Sequence, residues 1–254
     1  MTSLAVPTDT LDLPRRDILG VPVVAVDGKR AREVILRAAR EGRHARYAFL
    51  NAHGANTAVD DPRFRDVLRG FTVLPDGAGV DMASRWLHGR PFPENLNGTD
   101  FVPFLLREAP PLSVGLWGAE PGVADEAAAA WKRSHSQHDY AVLAHGFVAE
   151  AERDAVLEAL TRRRVDLLLV AMGNPTQEFF IQRHVDARHA GIVMGVGALF
   201  DFTAGRKPRA PEALRRVRLE WVFRLALEPR RMFRRYVVGN PMFLARVARS
   251  GRRG

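Results

Sequence analysis

The stretch DLLLVAMGNPTQEFFIQRH, residues 166–184, decides the fold. Its first half is a short apolar run suited to a strand buried on both faces. A glycine and a proline then punctuate it, and helical spacing follows from about 177 to 188. The same unit recurs outward from it. VPVVAV (21–26) precedes a helical segment at 29–41, RYAFLNA (46–52) one at 56–70, and FTVLPD (71–76) one at 80–88. LSVGLW (112–117) precedes 124–134, YAVLAHG (140–146) precedes an amphipathic surface helix at 150–164, and GIVMGVGAL (191–199) closes the series. Alternation of this kind predicts an α/β fold: a Rossmann-like parallel sheet with helices on both faces, over residues 19–205. Ligands of such sheets sit at the carboxyl ends of the strands.

Composition narrows the chemistry. With 254 residues the chain is long enough to bury a sizeable core, and with no cysteine it has no disulfides, no thiolate nucleophile and no zinc–cysteine site. Residues 1–18 carry prolines and mixed charges where a secretory signal needs an unbroken apolar core, so they are expected to be a flexible segment and the protein to stay in the cytoplasm. No apolar run reaches the length that spans a bilayer, which leaves peripheral membrane contact.

The rhythm changes after Asp201. The net charge of +9 is concentrated in residues 206–254, where fifteen arginines and lysines face only Glu212, Glu220 and Glu228, a local charge of +12. Leu214, Val217, Trp221 and Leu225 share a helical stripe, Pro229 interrupts it, and Arg230, Arg231, Arg234 and Arg235 interleave with Met232, Phe233 and Tyr236. The expectation is a basic helical appendage that meets an anionic partner, with a core that stays folded when residues 207–254 are deleted.

Candidate chemistry gathers at strand ends. In LPDGAGVDMAS, Asp76 ends a strand and is followed by Gly77, Gly79 and a helix start, a geometry that accepts a diphosphate and puts a carboxylate within reach of an attacking hydroxyl. A helix-capping role for Asp76 is the alternative on spacing alone. Asn51, His53 and Asn56 follow the preceding strand and suit sugar hydroxyls or a uracil. Gly118 lies in the turn GLWGAEPG (115–122), which suits contact with a nucleotide donor but is not a dinucleotide fingerprint. Asn174, Gln177 and Glu178 open a helix and are candidates for donor recognition, with a dipole-stabilising Glu178 as the alternative. Asp201 follows GVGALFDF and is open to catalytic, sugar-binding or capping roles. There is no DxD-like or HExxH motif, so no metal or other cofactor is expected.

The ordered series Asn51-Ala52, Pro75-Asp76-Gly77-x-Gly79, Asn97-Gly98-Thr99-Asp100, Gly118-x-x-x-Gly122, Gly173-x-Pro175-x-Gln177-Glu178, Gly195-Val196-Gly197-x-x-Phe200-Asp201, Arg209-Ala210-Pro211, Glu220-Trp221-x-x-Arg224-Leu225 and Glu228-Pro229-x-Arg231 resembles the WecG/TagA/CpsF glycosyltransferases, glycosyltransferase family 26. The resemblance covers about residues 20 to 245, and its wording is closest to the GumM-like exopolysaccharide branch. It implies an inverting, metal-independent transfer from a UDP-sugar donor to an undecaprenyl-diphosphate-linked sugar at the inner face of the cell membrane. Asp76 is then the general base, and Gln177 and Glu178 belong to a motif facing the active site. Arg209, Arg224 and Arg231 take the lipid diphosphate, for which guanidinium forks are well shaped. Homo-oligomers occur among such proteins, and a glucose or N-acetylmannosamine donor is implied, glucose being the first choice. The sequence departs from the pattern at Phe49, Thr176 and Ala198, where threonine, lysine and glycine are common.

Two other classes compete. A nucleotide-sugar oxidoreductase would need a GxGxxG turn and a Tyr-x-x-x-Lys pair, neither of which is present. A nucleic-acid-binding module would use the basic tail, but its interleaved aromatics fit a lipid surface or internal packing better, so nucleic acid is not an expected partner.

Overall fold

The computed structural model describes residues 13–216 and 220–251, except for the side chains at 215, 216 and 231. Eight strands form a single sheet: β1 (Arg15–Ile18), β2 (Val21–Val24), β3 (Ala45–Leu50), β4 (Thr72–Pro75), β5 (Ser113–Gly118), β6 (Asp139–Ala144), β7 (Val165–Ala171) and β8 (Ala190–Gly195). Their order is β1-β2-β4-β3-β8-β7-β5-β6, and every pairing is parallel except β1 with β2. The α/β reading thus holds, with one antiparallel edge strand added to it.

That edge strand corrects the expected loose segment 1–18 at its end, residues 1–12 lying outside the described residues. Residues 15–18 pair with residues 21–24 across a tight turn at Leu19 and Gly20, both at positive φ. Ile18 is fully buried, and the guanidinium of buried Arg16 donates to Ser84 Oγ and to the carbonyls of Arg90 and Pro91. Charged residues flank one buried isoleucine, so the strand has no apolar run to announce it.

Helices cover both faces. One face carries α1 (Gly28–Arg40), α5 (Gly98–Glu108), α6 (Val123–Ser134) and α9 (Leu199–Thr203), which bury residues such as Ile35, Leu105, Trp131 and Phe200. The other carries α2 (Ala52–Asp60), α3 (Pro62–Leu68), α4 (Ala78–His88), α7 (Glu150–Arg162) and α8 (Thr176–His184). The segment expected as one helix at 56–70 is two. Asp61 leaves the helical conformation and caps α3 through the Arg63 amide, with Pro62 in the first turn, where its missing N–H costs nothing. Helix α5 carries an internal proline, Pro103, and has no counterpart in the periodicity reading.

The tail divides in two. Helices α10 (Glu212–Arg216), α11 (Glu220–Leu227) and α12 (Pro229–Met232) and a π-helical turn (Phe233–Val238) lead to α13 (Gly239–Ser250). Val217 of the expected stripe lies outside the described residues, and Trp221 and Leu227 are exposed. Helix α13, by contrast, is part of the core. Phe243 and Val247 are buried with the residues of α2 and α4, and Asn56 donates to the Gly239 carbonyl at 2.8 Å. Arg246 reaches the Asn56 side chain and backbone and pairs with Asp60 at 2.5 Å. Removing residues 207–254 would therefore open the hydrophobic core, contrary to the expectation of an independent appendage.

Candidate active site

The carboxyl ends of the parallel strands β4, β3, β8, β7 and β5 lie side by side along one edge of the sheet. The chain leaves β5 outward to β6 but leaves β7 inward to β8, so the strand order reverses between β5 and β7, where ligands of open α/β sheets gather. At that point β5 and β7 come very close. The Ala119 amide donates to the Ala171 carbonyl at 2.6 Å, and a Cβ on Gly118 would stand 2.3 Å from the same oxygen. Gly118 is thus required by packing of two strand ends, a role distinct from the ligand contact expected of it.

Asp76 follows the last residue of β4. Its backbone amide donates to the Leu50 carbonyl, and its carboxylate accepts 3.1 Å from Asn51 Nδ2. Asn51 also caps α2 through the Gly54 amide, so one side chain fixes both the helix start and the carboxylate. Gly77, at φ 91°, turns the chain into α4, and its amide donates to Asn95 Oδ1 at 2.7 Å. Asp76 does not cap α4: the residue in the cap position is Gly77, without a side-chain bond. Gly79 is held close to Ala52 and the Phe243 ring, which leaves no room for a side chain there.

Burial pushes the Asp76 carboxyl upward from the ordinary carboxylate range, against the Asn51 hydrogen bond and the positive charges of Arg224 and Arg235; nearby Glu220 adds to the rise. Arg224 lies over the Phe202 ring at 4.7 Å and pairs with Glu220 at 2.7 Å. Half-buried Arg235 has no hydrogen-bond partner at its Nε and also acts on His53, whose pKa is lowered by burial first and by that charge second. His53 is consequently neutral at pH 7.

Asn174 extends the candidate site to the end of β7. Its amide atoms lie 3.6 Å from where a Gly54 Cβ would be, so it spans from the end of β7 past β8 to the start of α2. The strands bearing Asp76 and Asn174 are three spacings apart, about 14 Å, roughly the length of a sugar nucleotide. Gln177 and Glu178 sit behind Asn174 and are buried, Glu178 completely. Gln177 accepts from the Gly197 amide at 2.9 Å and donates to Glu178 Oε1 at 2.8 Å, and Gly195 leaves space for it. Gln177, expected to touch a donor, is therefore committed to internal partners, while Glu178, expected with it, keeps one buried oxygen, Oε2, without a partner.

Of the other candidates, Asp201 lies 3.7 Å from Lys207 Nζ, which also approaches Glu228. Arg209 pairs with Asp100 at 2.6 Å, beside the 95–97 segment that braces Asp76. The Arg231 side chain lies outside the described residues. Asn95 and Arg235 belong to the site without having been singled out. Asn95 precedes the asparagine-glycine phrase with no spacing signal, and Arg235 is one of four clustered arginines that only the fold tells apart. Among the described residues no group of three or more histidines and carboxylates is placed to hold a metal ion.

A model of the glycosyl transferase WecG/TagA/CpsF family matches residues 16–254. The chain is similar to an N-acetylglucosaminyldiphosphoundecaprenol N-acetyl-beta-D-mannosaminyltransferase of Bacillus spizizenii, with 31% identity over 77% of this chain and 75% of the relative. Proteins of the same description from Bacillus subtilis and Staphylococcus aureus are 31% and 28% identical, each over 71% of this chain and 70% of the relative. With motifs in family order at the strand ends and a match along nearly the whole chain, this protein belongs to the WecG/TagA/CpsF family of glycosyltransferases.

Proposed function

We propose that the protein transfers N-acetylmannosamine from its UDP derivative to undecaprenyl-diphosphate-linked N-acetylglucosamine, by a single displacement that inverts the anomeric centre and needs no metal. The observation that carries the mechanism is Asp76: a carboxylate at a strand end, oriented by Asn51 and overlooked by Arg224 and Arg235. Asp76 takes the proton of the acceptor hydroxyl as its oxygen bonds to the sugar, and the electron pair of the breaking C–O bond leaves with UDP. A raised carboxyl pKa makes Asp76 a stronger base than an exposed aspartate, with activity rising as pH passes upward through that pKa. The arginines balance the diphosphate charges, of leaving group or acceptor, that a metal would otherwise balance. The N-acetylmannosamine donor, in preference to glucose, is supported by the descriptions of the relatives.

The acceptor's lipid calls for a membrane. No helix among the described residues is long and apolar enough to cross one. The tail exposes Phe233, Val238 and Met242 beside Arg230 and Arg234, and Trp86 lies against the end of α13. This mixture suits the anionic, inner face of the cell membrane.

The test is UDP release with UDP-N-acetylmannosamine, UDP-N-acetylglucosamine and UDP-glucose, each with a short-chain prenyl-diphosphate N-acetylglucosamine, with and without EDTA. EDTA-resistant turnover with the first donor, abolished in folded Asp76→Ala, is the expected result. Turnover only with UDP-glucose refutes the donor assignment, loss in EDTA refutes metal independence, and an active Asp76→Ala refutes the base.

A further inference from the structure

Two phrases of the family series, Asn97-Gly98-Thr99-Asp100 and Arg209-Ala210-Pro211, have no part in the proposed transfer, and the fold joins them. Arg209 Nη2 donates to Asp100 Oδ1 at 2.6 Å. Asp100 Oδ2 accepts from Asn97 Nδ2 at 2.9 Å, and Asn97 caps α5 by accepting from the Asp100 amide at 3.0 Å, a reciprocal pair that makes residues 97–100 one stiff turn. The chain just before that turn holds both neighbours of Asp76. The Leu96 amide donates to the Pro75 carbonyl at 2.9 Å, and Asn95 Oδ1 accepts from the Gly77 amide at 2.7 Å. Arg209 is committed to its contact: Nη2 is on Asp100, Nε is buried without a partner, and buried Ala210 follows. A diphosphate would have to displace Asp100 to gain a two-pronged grip on this guanidinium.

We propose that Asp100 and Arg209 form a clasp that positions the general base: the seating of the basic segment passes through Asp100 to residues 95–97, and from there to the two peptide groups that flank Asp76. Both are positioning residues, and neither touches substrate. The contact is a single, partly exposed ion pair, so it narrows the spread of Asp76 positions and does not hold the fold together. A carboxylate that must meet a hydroxyl proton at a heavy-atom distance of about 3 Å is sensitive to that spread, because a small misplacement of a reacting group costs far more in rate than in stability. The clasp also aligns the base only when the segment leading to Arg224 and Arg235 is in place. The inference rests on the reading that Asp76 is the base.

The experiment is a double-mutant cycle in the full chain, read by UDP release with the best of the three donors and the short-chain acceptor, with melting temperature alongside. Asp100→Asn and Arg209→Gln are each expected to lower kcat about three- to fivefold at unchanged melting temperature. KM for donor and acceptor is expected to stay within about twofold of wild type. The double variant is expected to match the slower single variant, because both remove one interaction. Arg209→Lys, which keeps the charge, is expected to hold kcat within about twofold of wild type. Asp100→Asn added to Asn95→Ala is expected to cost less than about twofold further, since Asn95 is a later link. Losses that multiply to about tenfold or more in the double variant overturn the clasp, and so does full kcat in both single variants. A raised acceptor KM in Arg209→Gln that Asp100→Asn does not share overturns it too, and assigns Arg209 to the lipid diphosphate. Each of these leaves the base reading standing while Asp76→Ala is inactive. Turnover by Asp76→Ala, or no turnover by folded wild type with any donor, overturns that reading and the clasp together.

Discussion

Replacing Phe243 by alanine separates a core helix from an appended one. The ring is 1% exposed, is wedged against Gly79 at the start of α4, and belongs to the cluster that includes Ala52, Ala55, Val80 and Val247. Three helices meet there, α2 and α4 each following a strand and α13 pinned to α2 by Asn56 and Asp60, so the void left by the ring cannot collapse fully. A buried phenylalanine truncated under such conditions costs about 3–5 kcal/mol. Against a total stability of about 5–15 kcal/mol that is a large fraction, and it lowers the melting temperature on the order of 10 °C. Guanidinium unfolding followed by circular dichroism measures it as a lower midpoint at unchanged slope. The control is Phe233→Ala in the same tail, at a side chain 55% exposed, expected within about 0.5 kcal/mol of wild type. A Phe243→Ala cost below about 1 kcal/mol would refute the placement of α13 in the core.

Gly118→Ala is expected to destabilise by more than about 3 kcal/mol or to prevent soluble expression, because its Cβ would meet the Ala171 backbone and its φ of 131° disfavours any side chain; soluble yield and melting temperature report it. Glu178→Gln gains stability relative to wild type as pH rises. The native carboxyl holds its proton up to about 7 while the unfolded one releases it near 4.5, so wild-type stability falls between those values and is flat above them. The difference reaches about 3 kcal/mol at pH 8 and vanishes below pH 4.5, as urea unfolding at both extremes will measure. Asn95→Ala removes the acceptor of the Gly77 amide and is expected to lower kcat severalfold with little change in melting temperature, read by steady-state UDP release.

The sheet was legible because its central strands are buried on both faces, and the runs LLLVA and IVMG need no partner to be recognised. What escaped were elements whose stabilising contacts are distant in sequence. Strand β1 depends on Arg16 reaching Ser84 and the 90–91 carbonyls, and α13 is placed in the core by Phe243 and Val247 meeting residues nearly two hundred positions earlier. At the site, Asp76 and Asn51 were legible from their strand-end positions, and their hydrogen bond joins them as spacing alone could not. Gln177 and Glu178 were expected to face a donor, and their inward orientation depends on Gly195 and Gly197, two glycines on a different strand end.

The basic segment that carries Arg224 and Arg235, whose charges act on Asp76, lies between two fastened points of the chain. Before it, Ala210 is buried and Arg209 is tied to Asp100; after it, α13 is locked by Phe243, Val247 and the Arg246–Asp60 pair. Those two anchors keep the Arg224 and Arg235 side chains, whose charges act on Asp76, beside that carboxylate without help from a ligand. The two anchors also hold the Arg224 and Arg235 guanidinium groups at a fixed, high local concentration beside Asp76, on the order of millimolar or more, whatever the dilution of the protein.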